Sequence, residues 1–198
     1  MNKFLTAAII LLLSLSQYAC APIIVAGAAA GVTTVAVERR TPGTVVEDQT
    51  IEFKANDLFN KDEGLNETAR IRPTSYNTVL LLTGEAPNEN LRQRAATIAR
   101  QIGKVSRVHN EVTIGDKKSF GRGSNDTWIT TKVKTAITGE KDLNPIHVKV
   151  VTEKGTVFLM GIVTRDEGDR AAQRASKIKG VKRVVKIFEY IEKKPETT

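Results

Sequence analysis

The chain repeats itself. Residues 47–114 match residues 124–192 at an offset of about 76–78 positions, so each copy has to close a small fold of its own. In the first copy Ile51, Ala55, Leu58 and Phe59 recur at the spacing of one helix face, and in the second Ile129, Val133, Ala136 and Ile137 do the same. Asp48 and Asp126 stand just ahead of these stripes, where a carboxylate would cap the helix and meet the positive end of its dipole. Two strand-like runs follow in each copy: Ala69–Arg72 with Val79–Gly84, and Ile146–Val151 with Thr156–Val163. Glu153-Lys154-Gly155 between the second pair reads as a hairpin turn. A second helix comes next, in which Ala95, Ala96, Ala99 and Ile102 correspond to Ala171, Ala172, Ala175 and Ile178. These small residues let a helix lie close on a sheet. Val105-Ser106-Arg107-Val108 and Val181-Lys182-Arg183-Val184 then lead into a closing strand that ends near Ile114 or Ile191.

The order α-β-β-α-β in each copy predicts an α+β protein of two tandem modules, each a three-stranded mixed sheet with two helices packed on one face. Pro73 lacks an amide donor, so its strand should be short or at an edge. Aromatic residues make up only 5% of the chain, which suits two small cores better than one large one. The predicted layout is a leader over 1–19, an Ala/Gly-rich linker over 20–46, a first domain over 47–115, a polar linker over 116–123, a second domain over 124–192 and a disordered tail over 193–198.

The N-terminus has the form of an export signal. Lys3 precedes a twelve-residue apolar run from Phe4 to Leu15, short for a membrane span. The run ends in Ser16-Gln17-Tyr18-Ala19-Cys20, and Cys20 is the only cysteine in the chain. A small residue before a lone cysteine at this point resembles the bacterial lipobox, although Gln17 and Tyr18 replace its usual leucine and small residue. That resemblance implies lipid attachment at Cys20. The alternative is an uncleaved anchor, because residues 21–37 are again almost uncharged. A GxxxG spacing at Gly27 and Gly31 is too common in such a stretch to indicate helix pairing.

Several stretches together resemble the BON domain family: the Gly-Thr-Val-Phe-Leu-Met-Gly strand, the Gly180-Val181-Lys182-Arg183-Val184 turn, the segment 124–137 (SNDTWITTKVKTAI) and the run 157–164 (VFLMGIVT). Two copies behind a lipoprotein-like signal are similar to the dual BON-domain outer-membrane lipoproteins of Gram-negative bacteria. The resemblance implies a non-enzymatic protein, lipid-anchored in the outer membrane and facing the periplasm. It further implies binding of anionic phospholipid through the second domain, support of envelope integrity and gathering at the division site.

Charge points to the same half. The whole chain carries a formal +8, which favours acidic partners. Residues 47–114 hold nine Lys and Arg against ten Asp and Glu, whereas residues 124–192 hold thirteen against nine. Trp128 lies one residue, about 100° of helix, from the stripe residue Ile129, with Lys132, Lys134 and Thr135 nearby. A large amphipathic ring beside lysines suits a headgroup layer; the bland alternative is a ring that closes the edge of the core. Thr50 is its counterpart in the first copy. Leu143 is a second candidate insertion point, or else a loop anchor. Lys177, Lys179, Lys182, Arg183 and Lys186 form a further lipid contact or an ordinary solvated face.

No constellation of side chains suggests catalysis. His109 and His147 have no nucleophile near them in sequence and read as surface residues. Asp166, Glu167 and Asp169 open a helix, where acids are expected, and Gly121-Arg122-Gly123 is too short for a phosphate loop. The expected partner is anionic phospholipid, with envelope or division proteins as further ones. The competing reading is an envelope adaptor that recruits a protein through the open sheet edge of the first domain. No catalytic residue, cofactor, metal or small-molecule substrate is expected. Nucleic acid is excluded by export and by the lack of aromatic stacking platforms.

Overall fold

The computed structural model describes residues 38–115, 123–140 and 143–192. The leader, the lipid attachment expected at Cys20, most of the 116–123 linker and the 193–198 tail lie outside the described residues.

The first helix, α1 (Pro42–Lys61), begins earlier than its apolar stripe suggests, because Thr41 caps it by accepting the Thr44 amide at 3.1 Å and Pro42 takes the first turn. A short helix α2 (Glu63–Thr68) follows, capped by Asp62. Strands β1 (Arg70–Tyr76) and β2 (Val79–Ala86) form an antiparallel hairpin, and α3 (Glu89–Arg100) crosses to β3 (Arg107–Asn110) and β4 (Thr113–Ile114). Both closing strands run parallel to β2, so this sheet has four short strands where three are expected. The ladder breaks at Glu111 and Val112. Pro73 sits within β1, an edge strand.

The second copy has α4 (Gly123–Thr138), a 3-10 turn Pro145–His147, β5 (Val148–Glu153), β6 (Thr156–Val163), α5 (Arg165–Ser176) and β7 (Arg183–Tyr190). Its sheet order is β5-β6-β7, antiparallel then parallel. Ile146, placed on a strand by the sequence pattern, belongs to the 3-10 turn and is 41% exposed.

Alternation along the strands decides what each face meets. Leu80, Leu82 and Ala86 face α1 and α3, which supply Ile51, Ala55, Phe59, Ala95, Ala96 and Ala99. Val157, Leu159 and Val163 face α4 and α5 in the same way. Leu58, counted in the α1 stripe, is instead 38% exposed. The opposite strand faces are apolar too. Tyr76, Val79 and Leu81 of the first sheet pack on Phe158, Met160 and Ile187 of the second. The two sheets therefore lie face to face with the helices outside, and the domains share a third core.

Strands β2 and β6 run in opposite senses across this seam. Asn77, at the start of β2, donates to Glu189 near the end of β7 at 3.0 Å. Glu85, at the end of β2, pairs with Lys154 at the start of β6. Arg70 bridges Glu85 and Glu153, at 3.3 and 2.6 Å, and Lys149 bonds Glu52 and the Ser75 carbonyl, at 2.9 and 3.0 Å. Two adjacent arginines ahead of α1 clasp both halves. Arg39 forms a two-pronged bond with Glu167, at 2.8 and 2.9 Å, and also donates to the Ile162 carbonyl. Arg40 reaches Asp48 at 2.9 Å and stacks over Tyr76.

These pairs make the seam acid-sensitive. Burial pushes the Glu85 carboxyl up, but the Lys154 and Arg70 bonds and charges outweigh it and leave the group below its ordinary value of 4.5. Burial likewise raises Glu167, and Arg39 and the Thr164 amide more than reverse it. Both carboxyls bind protons more readily in the unfolded chain than in the folded one. Their contribution is complete above pH 4.5 and is lost as pH falls through the lower folded values. The thermal midpoint should hold steady from neutral pH to about pH 5 and then drop, as read by circular dichroism; a midpoint unchanged at pH 3 would contradict it.

Candidate functional site

The first turns of α4 are built by one buried acid. Asp126, 9% exposed, accepts the amides of Lys154 and Gly155 at 2.8 and 2.9 Å. Those two residues form the β5–β6 turn with φ of 52° and 78°, both in the left-handed region that such tight hairpins require. In the first copy Asp48 does the same for Asn77 and Thr78, at 2.8 Å each, and also accepts the Ser75 hydroxyl at 2.7 Å. The sequence reading of both acids as helix caps is therefore corrected. Each lies inside its helix and holds the neighbouring hairpin, because α1 begins at Pro42, more than a turn ahead of Asp48, and α4 begins at Gly123, which puts Asp126 within its first turn.

This clamp sets the orientation of the helix beside it. Ile129 points into the core with no exposure and touches the backbone at Gly180, where an added Cβ would lie 3.0 Å from its Cδ1. Thr130, on one flank, bonds Thr152 of β5 at 2.7 Å. Trp128 is therefore on the other flank, toward α5. Its indole is 45% exposed, and Lys132 Nζ stands 3.7 Å from the ring centroid. Thr135 lies on the same face, roughly 20° around the helix from Trp128, whereas Lys134 is about 120° away. Trp128, Lys132 and Thr135 thus come together, and Lys134 is exposed elsewhere.

Leu143 does not join them. At 4% exposure it packs in the second core with Ile137 and Val148, so the expectation of a second insertion point is corrected to that of a core anchor. The two histidines are not surface groups either. His147 is 7% exposed, and its carbonyl faces the Tyr76 hydroxyl across the seam at 3.4 Å. His109 is half-buried; burial first, then the Arg107 charge, holds its imidazole below the usual value.

Of the basic cluster near the C-terminus, Arg183 pairs with Glu111 of the first domain at 3.0 Å and Lys186 with Asp169 at 3.0 Å. Lys177, Lys179 and Lys182 are exposed and make no ion pair with any described residue. The Arg39–Arg40 clasp lies ahead of the predicted domain start at residue 47, outside both repeats, so the repeat pattern carried no signal for it. Among the described residues, no group of three or more His, Cys, Asp or Glu could hold a metal ion, and no helix is long and apolar enough to cross a membrane.

Two copies of one small α-β-β-α-β unit, packed through their sheets, define a tandem-module protein. The BON domain model matches residues 47–116 and 125–192, and the chain belongs to that family. It is 39% identical over 168 residues to the "Outer membrane lipoprotein DolP" of Haemophilus influenzae, covering 85% of this chain and 87% of that one. It is 35% identical to the "21 kDa hemolysin" of Actinobacillus pleuropneumoniae, over 79% of this chain and 80% of that protein. The "Osmotically-inducible protein Y" of Escherichia coli is 26% identical, with 72% of each chain covered.

Proposed function

We propose that this chain is a non-enzymatic outer-membrane lipoprotein that binds anionic phospholipid through the Trp128 face of its second BON domain and thereby supports envelope integrity. The observation that carries the binding step is the half-exposed indole of Trp128 under the Lys132 ammonium. A ring and a cation held together this way can enter the headgroup layer as one unit, the indole reaching the acyl boundary and the ammonium meeting a phosphate. The fold of the second domain does not depend on this indole, because Ile129, Val133 and Ile137 fill the core beneath it. The 39% identity, over most of both chains, to a relative called an outer membrane lipoprotein supports the location and the lipid on Cys20. Gathering at the division site is part of the same proposal.

The test uses the compact unit Ala36–Thr198, which keeps the Arg39–Arg40 clasp. It should sediment with vesicles containing phosphatidylglycerol and leave neutral ones in solution. Trp128→Ala should weaken that binding by about tenfold to a hundredfold without moving the thermal midpoint. Equal binding to both vesicle types, or an unaffected Trp128→Ala variant, would overturn the proposal.

A second reading, recruitment of an envelope protein by the first domain, rests on α1. There Phe53 is 75% and Val46 63% exposed, on one flank of the helix. Envelope function restored in cells by Trp128→Ala, and abolished by changes confined to that flank, would favour it.

A further inference from the structure

We propose that the turn Lys177–Lys182 is a second lipid-contacting element, and that its three lysines, rather than Trp128, confer the preference for anionic headgroups. The inference rests on the lipid-binding reading above and divides the labour within that site.

The turn is fixed at the Trp128 end of the domain by backbone contacts. Gly180, with φ of 100°, lies against the Ile129 side chain, one residue from Trp128. The Lys182 stem crosses Gly155, where an added Cβ would sit 3.2 Å from its Cγ and 2.9 Å from the Gly180 carbonyl. Gly155 is in turn held by Asp126, two residues before Trp128. The β5–β6 turn, the start of α4 and the 177–182 turn thus form one rigid end. Trp128 lies on the α5 flank of its helix, the side from which this turn emerges.

The charges there are available. Lys177, Lys179 and Lys182 are exposed and unpaired among the described residues. The acids nearest in the fold are already engaged: Asp126 with the hairpin amides, Glu153 with Arg70, Glu140 with Arg174. Lys154 and Arg183, further cations of this end, are held by Glu85 and Glu111.

Lysines after a helix C-terminus are often there for the helix dipole. The first domain argues against that here. Its α3 ends at the equivalent place, yet Gln101, Gly103 and Ser106 stand where Lys177, Lys179 and Lys182 stand, Arg100 and Lys104 stand where Ser176 and Gly180 do, and Thr50 stands where Trp128 does. The fold works without these lysines. The lysines at these three positions and the indole fall on one end of one copy, as a single surface for a negatively charged layer would require.

Trp128 is the only tryptophan in the chain, so its emission reports docking directly. The full lipidated chain, anchored in vesicles of phosphatidylcholine alone or mixed with phosphatidylglycerol, should show blue-shifted emission, quenched by bromine-labelled acyl chains, only with the anionic lipid. In the triple variant K177Q/K179Q/K182Q the ratio of docked to free Trp128 should fall about fivefold per lysine, on the order of a hundredfold in all, as expected from the attraction of each basic group to an anionic leaflet. The arginine triple K177R/K179R/K182R should keep the wild-type response, which separates charge from folding. Removing the same charge from the first domain, as K54Q/K61Q/K104Q, should have a far smaller effect. A wild-type response with an equal one from the glutamine triple overturns the inference and leaves the lipid reading standing. Equal losses in the two triples overturn it as well, by reducing the effect to net charge. No anionic response in the wild type overturns both.

Discussion

Replacing Asp48 by alanine is expected to lower the stability of the protein by about 3–5 kcal/mol, one of the largest effects of any single substitution. The carboxylate is 3% exposed, and it satisfies four donors: the Ser75 hydroxyl, the Asn77 and Thr78 amides, and the Arg40 guanidinium. Alanine would strand those donors beside a turn whose residues sit at φ of 50° and 65°. Thr78 is β-branched, and such residues adopt positive φ only when their surroundings insist. Removal of Asp48 takes away that insistence and leaves Arg40 only its stacking on Tyr76 to hold it to the first domain's hairpin. Asparagine would recover part of the loss, since its amide oxygen can still accept but its nitrogen cannot. The midpoint of urea unfolding reads the effect, and a change below about 1 kcal/mol would show that the clamp is ornamental.

Gly84→Ala should be comparably severe, at least about 3 kcal/mol. Gly84 has φ of 115°, a conformation almost closed to residues with a Cβ. An added Cβ would also collide with the Arg70 carbonyl across the β1–β2 ladder. That obstacle is backbone, not a side chain able to swing away, and Arg70 is tied to Glu85 and Glu153. Gly103→Ala is the matched control, because nothing lies within 4 Å of its added carbon. If both substitutions shift the thermal midpoint alike, the ladder yields more easily than its geometry says.

The duplication, the helix stripes and the hairpins were legible in the sequence because each is a local periodic pattern. Ile51, Ala55 and Phe59 recur on one helix face whatever the rest of the chain does. The third core was legible only in a property given too little weight. Read as Leu80-Leu82-Gly84 and Val157-Leu159-Gly161, the central strands look one-sided. Read whole, Val79–Leu82 and Val157–Val163 are nearly unbroken apolar runs, the signature of strands covered on both faces. What covers the second face is a non-local fact, set by the other copy. The roles of Asp48 and Asp126 were misassigned because the start of a helix depends on its cap. Thr41 and Pro42 lie before the apolar pattern that drew attention. The same holds at the candidate site. The exposure of Trp128 followed from its offset to Ile129, but the burial of Leu143 depends on a loop path that no periodicity encodes. Lys134 looked close to Trp128 in sequence and is separated from it by the turn of the helix.

The face-to-face seam also bears on how twin copies can drift apart. Each half is the other's roof, so neither can be deleted without leaving an oily wall bare to water. That mutual dependence holds Phe158 and Leu81 in place while the helical exteriors, which shelter nothing, are free to change. A duplicated chain built this way retains both members indefinitely and still lets one take up a new trade on its outer surface.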